Sequence, residues 1–195
     1  MGRILLSAGL SVVLILGTLV SVNSCNGEDW RTRRNDSAGL APDAVTTPEA
    51  VVQVYGAAVY GWRGAVADHT WVAVKPADAG EYTIYQVVGW RLRRGVSVVS
   101  VASGIPDRYW YGSTPDLHLD IRGAAAADLI EHIDLAARSY PYTDQYVLWP
   151  GPNSNSFVQW ISLEVPQMGL DLPWRAWGKQ WMSRNYHGAA GGEGT

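Results

Sequence analysis

Two stretches of this chain hold residues of the types that move protons or attack carbonyls. The first is His69, which heads the alternating run His69–Lys75 just after the turn-forming Gly61-Trp62-Arg63-Gly64. An imidazole at the end of a strand is rigidly aimed, as general acid–base work needs. The same position also suits a histidine that only hydrogen-bonds a backbone carbonyl. The second stretch is Pro150-Gly151-Pro152-Asn153-Ser154-Asn155-Ser156-Phe157. Its two Asn and two Ser fall in what reads as the first turn of a helix, where backbone N–H groups lack partners and the positive end of the dipole lies. A nucleophile or an oxyanion is stabilised at such a place. Asn and Ser are equally the preferred N-caps, so both readings stand.

The other histidines carry less. His118 alternates in a strand with Leu117 and Leu119 and so faces opposite to them, His132 lies on the exposed side of a helix, and His187 sits near the C-terminus. Scattered histidines are usually solvated or simply hydrogen-bonded. There is no HxxxH or HExxH spacing, so no zinc or iron site is expected, and no cofactor. A single Cys, Cys25, excludes an internal disulfide framework and a Cys-based metal site.

The elements that must position these groups follow from hydrophobic periodicity. Thr47-Pro48-Glu49 reads as a helix start, with Thr47 as N-cap and Pro48 at the first position. Ala50, Val51, Val54, Ala57 and Ala58 would form its apolar stripe. His69–Lys75 is a strand with His69, Trp71, Ala73 and Lys75 on one face. Tyr82–Trp90 pairs with it as a hairpin, and Val96–Val101, Arg108–Tyr111 and Leu117–Ile121 are further short strands. Gly123–Ser139 carries Ala126, Leu129, Ile130, Ile133 and Ala137 at helical spacing. Gln145–Trp149 is a brief extended piece, and Asn153–Val165 is a second helix with Phe157, Ile161 and Val165 inward. Strands mixed with segregated helices give an α+β class, an antiparallel sheet with packed helices.

Composition narrows the function. The chain has 195 residues, 47% hydrophobic and 17% charged, enough to bury one core. Only Arg3 is charged in the first 24 residues, which leaves 18 acidic against 14 basic side chains in the rest. No basic field exists to hold nucleic acid. Ten Trp and ten Tyr stand against one Phe, and such side chains suit an amphipathic groove as well as a core. Tyr109-Trp110-Tyr111 and Trp174, Trp177 and Trp181 would line a groove for a glycan or an acyl chain, or else pack inside. Arg91-Leu92-Arg93-Arg94 is a local basic cluster that would meet lipid head groups or carboxylated polymers, or else simply face water.

The first 24 residues read as a leader: a basic start, the apolar stretch Ile4–Val22 with its Ser and Thr interruptions, then small residues before Cys25. Lipidation of Cys25 after cleavage, an uncleaved anchor of about 19 apolar residues and free export are all consistent with it. The first two tether the body to a membrane, and all three place it on the periplasmic or extracytoplasmic side. Residues 25–47, rich in turn formers, read as a flexible linker, 48–182 as the globular domain, and 183–195 as a disordered tail.

The stretches YGWRGAVADHTWVAVK, YQVVGWRLRRG, PDRYWYGSTPDL, YPYTDQYVLWPGPNSNSF and EVPQMGLDLP resemble the bacterial family called domain of unknown function 3750. More distantly, the order of motifs resembles the circularly permuted papain-like superfamily of NlpC, LRAT and PPPDE relatives. There a His opens an early strand and a Cys nucleophile sits at a later helix N-terminus. Here His69 precedes Ser154 by 85 residues, with Ser in place of the Cys. That resemblance implies a hydrolase or acyltransferase acting on an amide or ester of the cell envelope. Ser154 would be its nucleophile, His69 its base, Gln86 the orienting group, and Asn153, Asn155 and the helix N–H groups the oxyanion donors. Trp71, Tyr109, Trp110 and Trp149 would contact a cell-wall or lipid-derived substrate. A serine needs a fully engaged base where a cysteine ionises readily, so the resemblance equally implies a domain that lost its nucleophile and only binds. A structural membrane-associated partner protein is the third reading.

Overall fold

The computed structural model describes residues 32–187, and those from Arg34 onward form one compact unit. Its centre is a five-stranded antiparallel sheet of order β4-β3-β2-β1-β5. The strands are β1 (Val51–Ala58), β2 (Asp68–Lys75), β3 (Tyr82–Val87), β4 (Val99–Gly104) and β5 (Asp116–Arg122). Among the described residues three α-helices accompany them: α1 (Ala124–Arg138), α2 (Ser154–Glu164) and α3 (Lys179–Asn185). The class is α+β.

β1 replaces the helix expected to follow Pro48. Val51-Val52-Gln53-Val54-Tyr55 is stiff and β-branched, and seven of the eight β1 residues are buried. A strand covered on both faces shows no period-2 alternation, so its apolar spacing imitated a helical stripe. The cap signal was a turn instead. Asp43 Oδ1 accepts from the Val45 and Thr46 amides, and Thr47 N–H bonds the Asp43 carbonyl. Arg108–Tyr111 forms only isolated bridges, Ser37 to Arg108 and Trp110 to Ser113, and the third strand is shifted to Val99–Gly104.

The sheet has a helix face and a loop face. Val52, Val54, Val72, Val74, Tyr85 and Val87 meet α1 and α2 in the larger core. The α1 stripe of Ala126, Leu129, Ile133, Ala136 and Ala137 recurs at helical spacing. Phe157, Val158 and Ile161 of α2 are fully buried against it, each removal from water contributing about 1.5–3 kcal/mol. On the other face lie Val51, Tyr55, Trp71, Ala73, Tyr82 and Ile84.

Loops cover that second face, which is why the reading of 25–47 as a linker fails from Arg34 on. Leu40 and Ala41 donate backbone N–H groups to the Asp107 carboxylate, and Ser37 Oγ does the same. Tyr82 Oη donates to the Pro42 carbonyl and Trp71 Nε1 to that of Pro106. A polar segment is thus held by side-chain hydrogen bonds that its composition does not announce. The tail read as starting at 183 likewise begins inside α3, and Tyr186 rests edge-on against Trp160.

Candidate functional site

The Pro-Gly-Pro stretch before α2 is built for close approach. Trp149–Pro150 and Gly151–Pro152 are cis, and Gly151 has φ 141°. A Cβ there would fall 2.7 Å from Ser156 Oγ. Asn153 caps α2: its Oδ1 accepts from the amides of Asn155 at 3.0 Å and Ser156 at 3.1 Å. Its Nδ2 donates to the carbonyls of Leu148 at 3.0 Å and Trp177 at 2.9 Å. Asn155 Nδ2 donates to the carbonyls of Asp68 at 3.0 Å and Trp177 at 2.8 Å, and its Oδ1 accepts from Thr70 Oγ1 at 2.9 Å. Both Asn carboxamides are therefore committed to tying α2 to β2 and to the loop at Trp177. The oxyanion role expected of them is taken up by structure: every carboxamide donor faces a backbone carbonyl.

Ser154 opens α2 and is 3% exposed. It lines a cleft of about 360 Å³ whose walls are Val59, Trp62, Tyr146, Leu148, Trp149 and Trp177, with Arg63 and Asp68 as charged members. The Tyr146 phenol lines the same cleft. Burial pushes the Tyr146 pKa up, only partly offset by Ser154 and by the nearby Arg63 charge. A phenol that holds its proton so firmly is no base for a serine. Asp68 is committed elsewhere: Arg175 donates to its carboxylate through Nε at 3.0 Å and Nη2 at 2.8 Å, and also holds the carbonyls of Gly64 and Ala65.

His69 belongs to the loop face. Its ring stacks on Trp110 at 3.7 Å and 10°, and on Trp71 at 5.8 Å. Its Nε2 lies 3.3 Å from Gln86 Oε1, which also accepts from Arg108 Nη2 at 3.3 Å. Arg108 can only donate, so the atom that faces it is the Gln86 oxygen and His69 Nε2 carries the proton. Burial pulls the His69 pKa down to about 3, the Arg108 charge adds to that, and Gln86 opposes it. The imidazole is neutral, stacked on Trp110 and donating. Position 70, not 69, turns toward α2.

The expected residues thus fall into separate groups. His69, Gln86, Trp71 and Trp110 come together under the loops, where Trp71 and Trp110 are core rather than groove. Ser154, Asn153, Asn155 and Trp149 come together at the cleft, where Trp149 is 64% exposed and edge-on to Trp177 at 5.5 Å. Tyr109 joins neither: its ring lies under the Arg34 guanidinium at 3.8 Å.

Sequence reasoning missed Trp62, Arg63, Tyr146 and Leu148 as cleft lining. Gly61-Trp62-Arg63-Gly64 was legible only as a turn. It also misread His118. The β1–β5 register shifts between Val54 and Tyr55, and this bulge re-aims His118. A Cβ on Gly56 would meet His118 Nε2 and the Thr70 methyl, placing that nitrogen on the helix face without a hydrogen-bond partner. Burial lowers its pKa, while Asp116 and Asp68 oppose the shift.

Among the described residues no group of three or more His, Cys, Asp or Glu could hold a metal ion, and no helix is long and apolar enough to cross a membrane. Cys25 and the apolar leader lie outside the described residues. No curated protein and no solved structure matches the chain. Residues 49–181 match the model of a protein family of unknown function, DUF3750, and the chain belongs to that family.

Proposed function

We propose that this domain is a non-catalytic binding module of permuted papain-like topology, tethered at the cell envelope through its leader. Its cleft at the start of α2 holds an apolar or amphipathic group of an envelope component. The topology is supported by the meeting of α2's first turn with the start of β2, where the resemblance would place nucleophile against base. The single observation that carries the non-catalytic reading is the facing of β2. The residue it turns to α2 is Thr70, bonded to Asn155, while His69 is stacked on Trp110 on the other side. A serine with neither a base nor spare carboxamide donors lacks what acyl transfer needs.

The cleft itself supports binding. Its volume lies at the small end of ligand sites, about 300–1,000 Å³, and apolar walls with a few polar groups are typical of them. Arg63 adds one positive charge beside the apolar walls, so an amphiphile with an anionic head fits best. The test uses 1-anilinonaphthalene-8-sulfonate, an apolar ring system with a sulfonate. The parent binds it saturably, Trp149→Ala and Trp62→Ala weaken binding about tenfold by removing aromatic wall area, and Ser154→Ala binds as the parent does. A serine-reactive fluorophosphonate leaves the parent unlabelled. Labelling that Ser154→Ala abolishes would overturn this reading and restore the hydrolase or acyltransferase.

A further inference from the structure

Next to the cleft, two loops converge at Tyr146. The 3-10 turn Gly89–Arg94 begins against it: a Cβ on Gly89 would fall 2.5 Å from the Tyr146 ring. The chain after that turn is tied to the same segment, since Val98 N–H bonds the Thr143 carbonyl. Both loops expose large apolar side chains to water: Trp90 and Leu92 from the turn, with Val96 just beyond, and Val147, Leu148 and Trp149 from the other. A neighbouring 3-10 turn adds Trp62, 79% exposed. Interleaved with them are Arg91, Arg93 and Arg94 of the first turn, and Arg63 beside Trp62. No described carboxylate forms an ion pair with any of these four. Residues 88–98 contain no Asp or Glu, and neither do 59–67. Arg94 lies over the Trp90 ring at 5.0 Å, and Arg91 Nε donates to the Ser97 carbonyl, so these two guanidiniums are held against the turn.

We infer that this rim is a membrane-docking surface, in which the loops at 90–96 and 146–149 and the turn at Trp62 settle into the head-group region of an anionic bilayer. Trp prefers the lipid–water interface because its ring is apolar and its N–H polar. Arginine beside an anionic leaflet gains from the surface potential. A soluble carboxylated polymer would satisfy the arginines but leave Trp62, Leu92 and Trp149 wet; the bilayer interface satisfies both sets. The inference goes beyond the cleft reading and stands without it. It also differs from attachment by the leader, since it places the folded body itself against the lipid.

Hydrogen exchange of the full-length protein on vesicles tests it. On phosphatidylglycerol vesicles, amides of residues 89–96 and 146–149 gain protection relative to solution, and on phosphatidylcholine vesicles they do not. The triple variant R91E/R93E/R94E weakens docking about a hundredfold, read as loss of that protection, and Trp90→Ser with Leu92→Ser loses it too. None of these residues lines the cleft, so dye binding stays as in the parent and the two readings fail separately. A protein that sits on anionic vesicles while both segments exchange as in solution would overturn the inference. So would equal protection by soluble polyglutamate, which would identify a polymer site.

Discussion

The two polar clusters flanking β2 differ in what they are for, although their anchors, His69 and Thr70, are neighbours in sequence. On the loop face, His69 and Arg108 both bond Gln86 Oε1 in a part-buried chain, with Trp110 stacked on the imidazole. On the helix face, Thr70 enters the clamp of Asn153 and Asn155 that seats α2 and opens onto the cleft. A pleated strand sends successive side chains to opposite faces. Two residues that read as one motif can therefore serve two unrelated constructions. The comparison also separates order from access: His69 is buried with its ring packed on Trp110, while Ser154 borders a cleft.

The largest expected effect breaks the loop-face cluster. Trp71→Ala removes the ring that bridges Tyr55, His69 and Trp110, and should cost about 3–5 kcal/mol in urea unfolding. A loss under about 1 kcal/mol would mean that face is not a core. On the helix face, Asn155→Ala takes the partner from Thr70 Oγ1 and a donor from the Asp68 carbonyl, while the Trp177 carbonyl keeps its bond from Asn153. Unfolding should then come about 2–4 kcal/mol cheaper, from the desolvation of unpaired polar groups.

Acid sharpens the contrast. The folded pKa of His69 lies near 3, below its ordinary value of 6.5, so the unfolded chain binds the proton that the fold refuses. Stability contributed by the neutral ring is whole above about pH 6.5 and falls as pH drops towards 3, by up to about 1.4 kcal/mol per unit. Unfolding curves between those limits, compared with His69→Phe, measure it. Equal slopes in parent and variant would place the imidazole in water. The smallest effect is expected at Ser154→Ala, within about 1 kcal/mol of the parent, since the clamp's hydrogen bonds run through Asn153, Asn155 and Thr70 and not through the Ser154 hydroxyl. A larger cost than that of Asn155→Ala would make Ser154, not the carboxamides, the centre of the clamp.

Much of the fold was legible. The α1 stripe and the start of α2 at Asn153 can be read from residue spacing, and β2, though buried on both faces, from a β-rich run bounded by turn formers. β1, buried on both faces as well, was masked by the helix-start signal of Thr47-Pro48-Glu49 ahead of it. The cleft could not be read from spacing: Trp62 and Trp149 lie 87 positions apart and meet only because β2 and α2 are packed together.

By itself the sequence determined which groups are present and their local roles: a histidine opening a strand, an asparagine capping a helix, a cluster of arginines in a turn. It determined the α+β class through hydrophobic period. Only the tertiary structure decided which groups share a space. The reason is parity and register. One residue's phase along β2 sends His69 away from α2, and one bulge between β1 and β5 brings His118 toward it. Single-residue offsets of this kind are set by the pairing of distant strands, and residue types alone do not encode them.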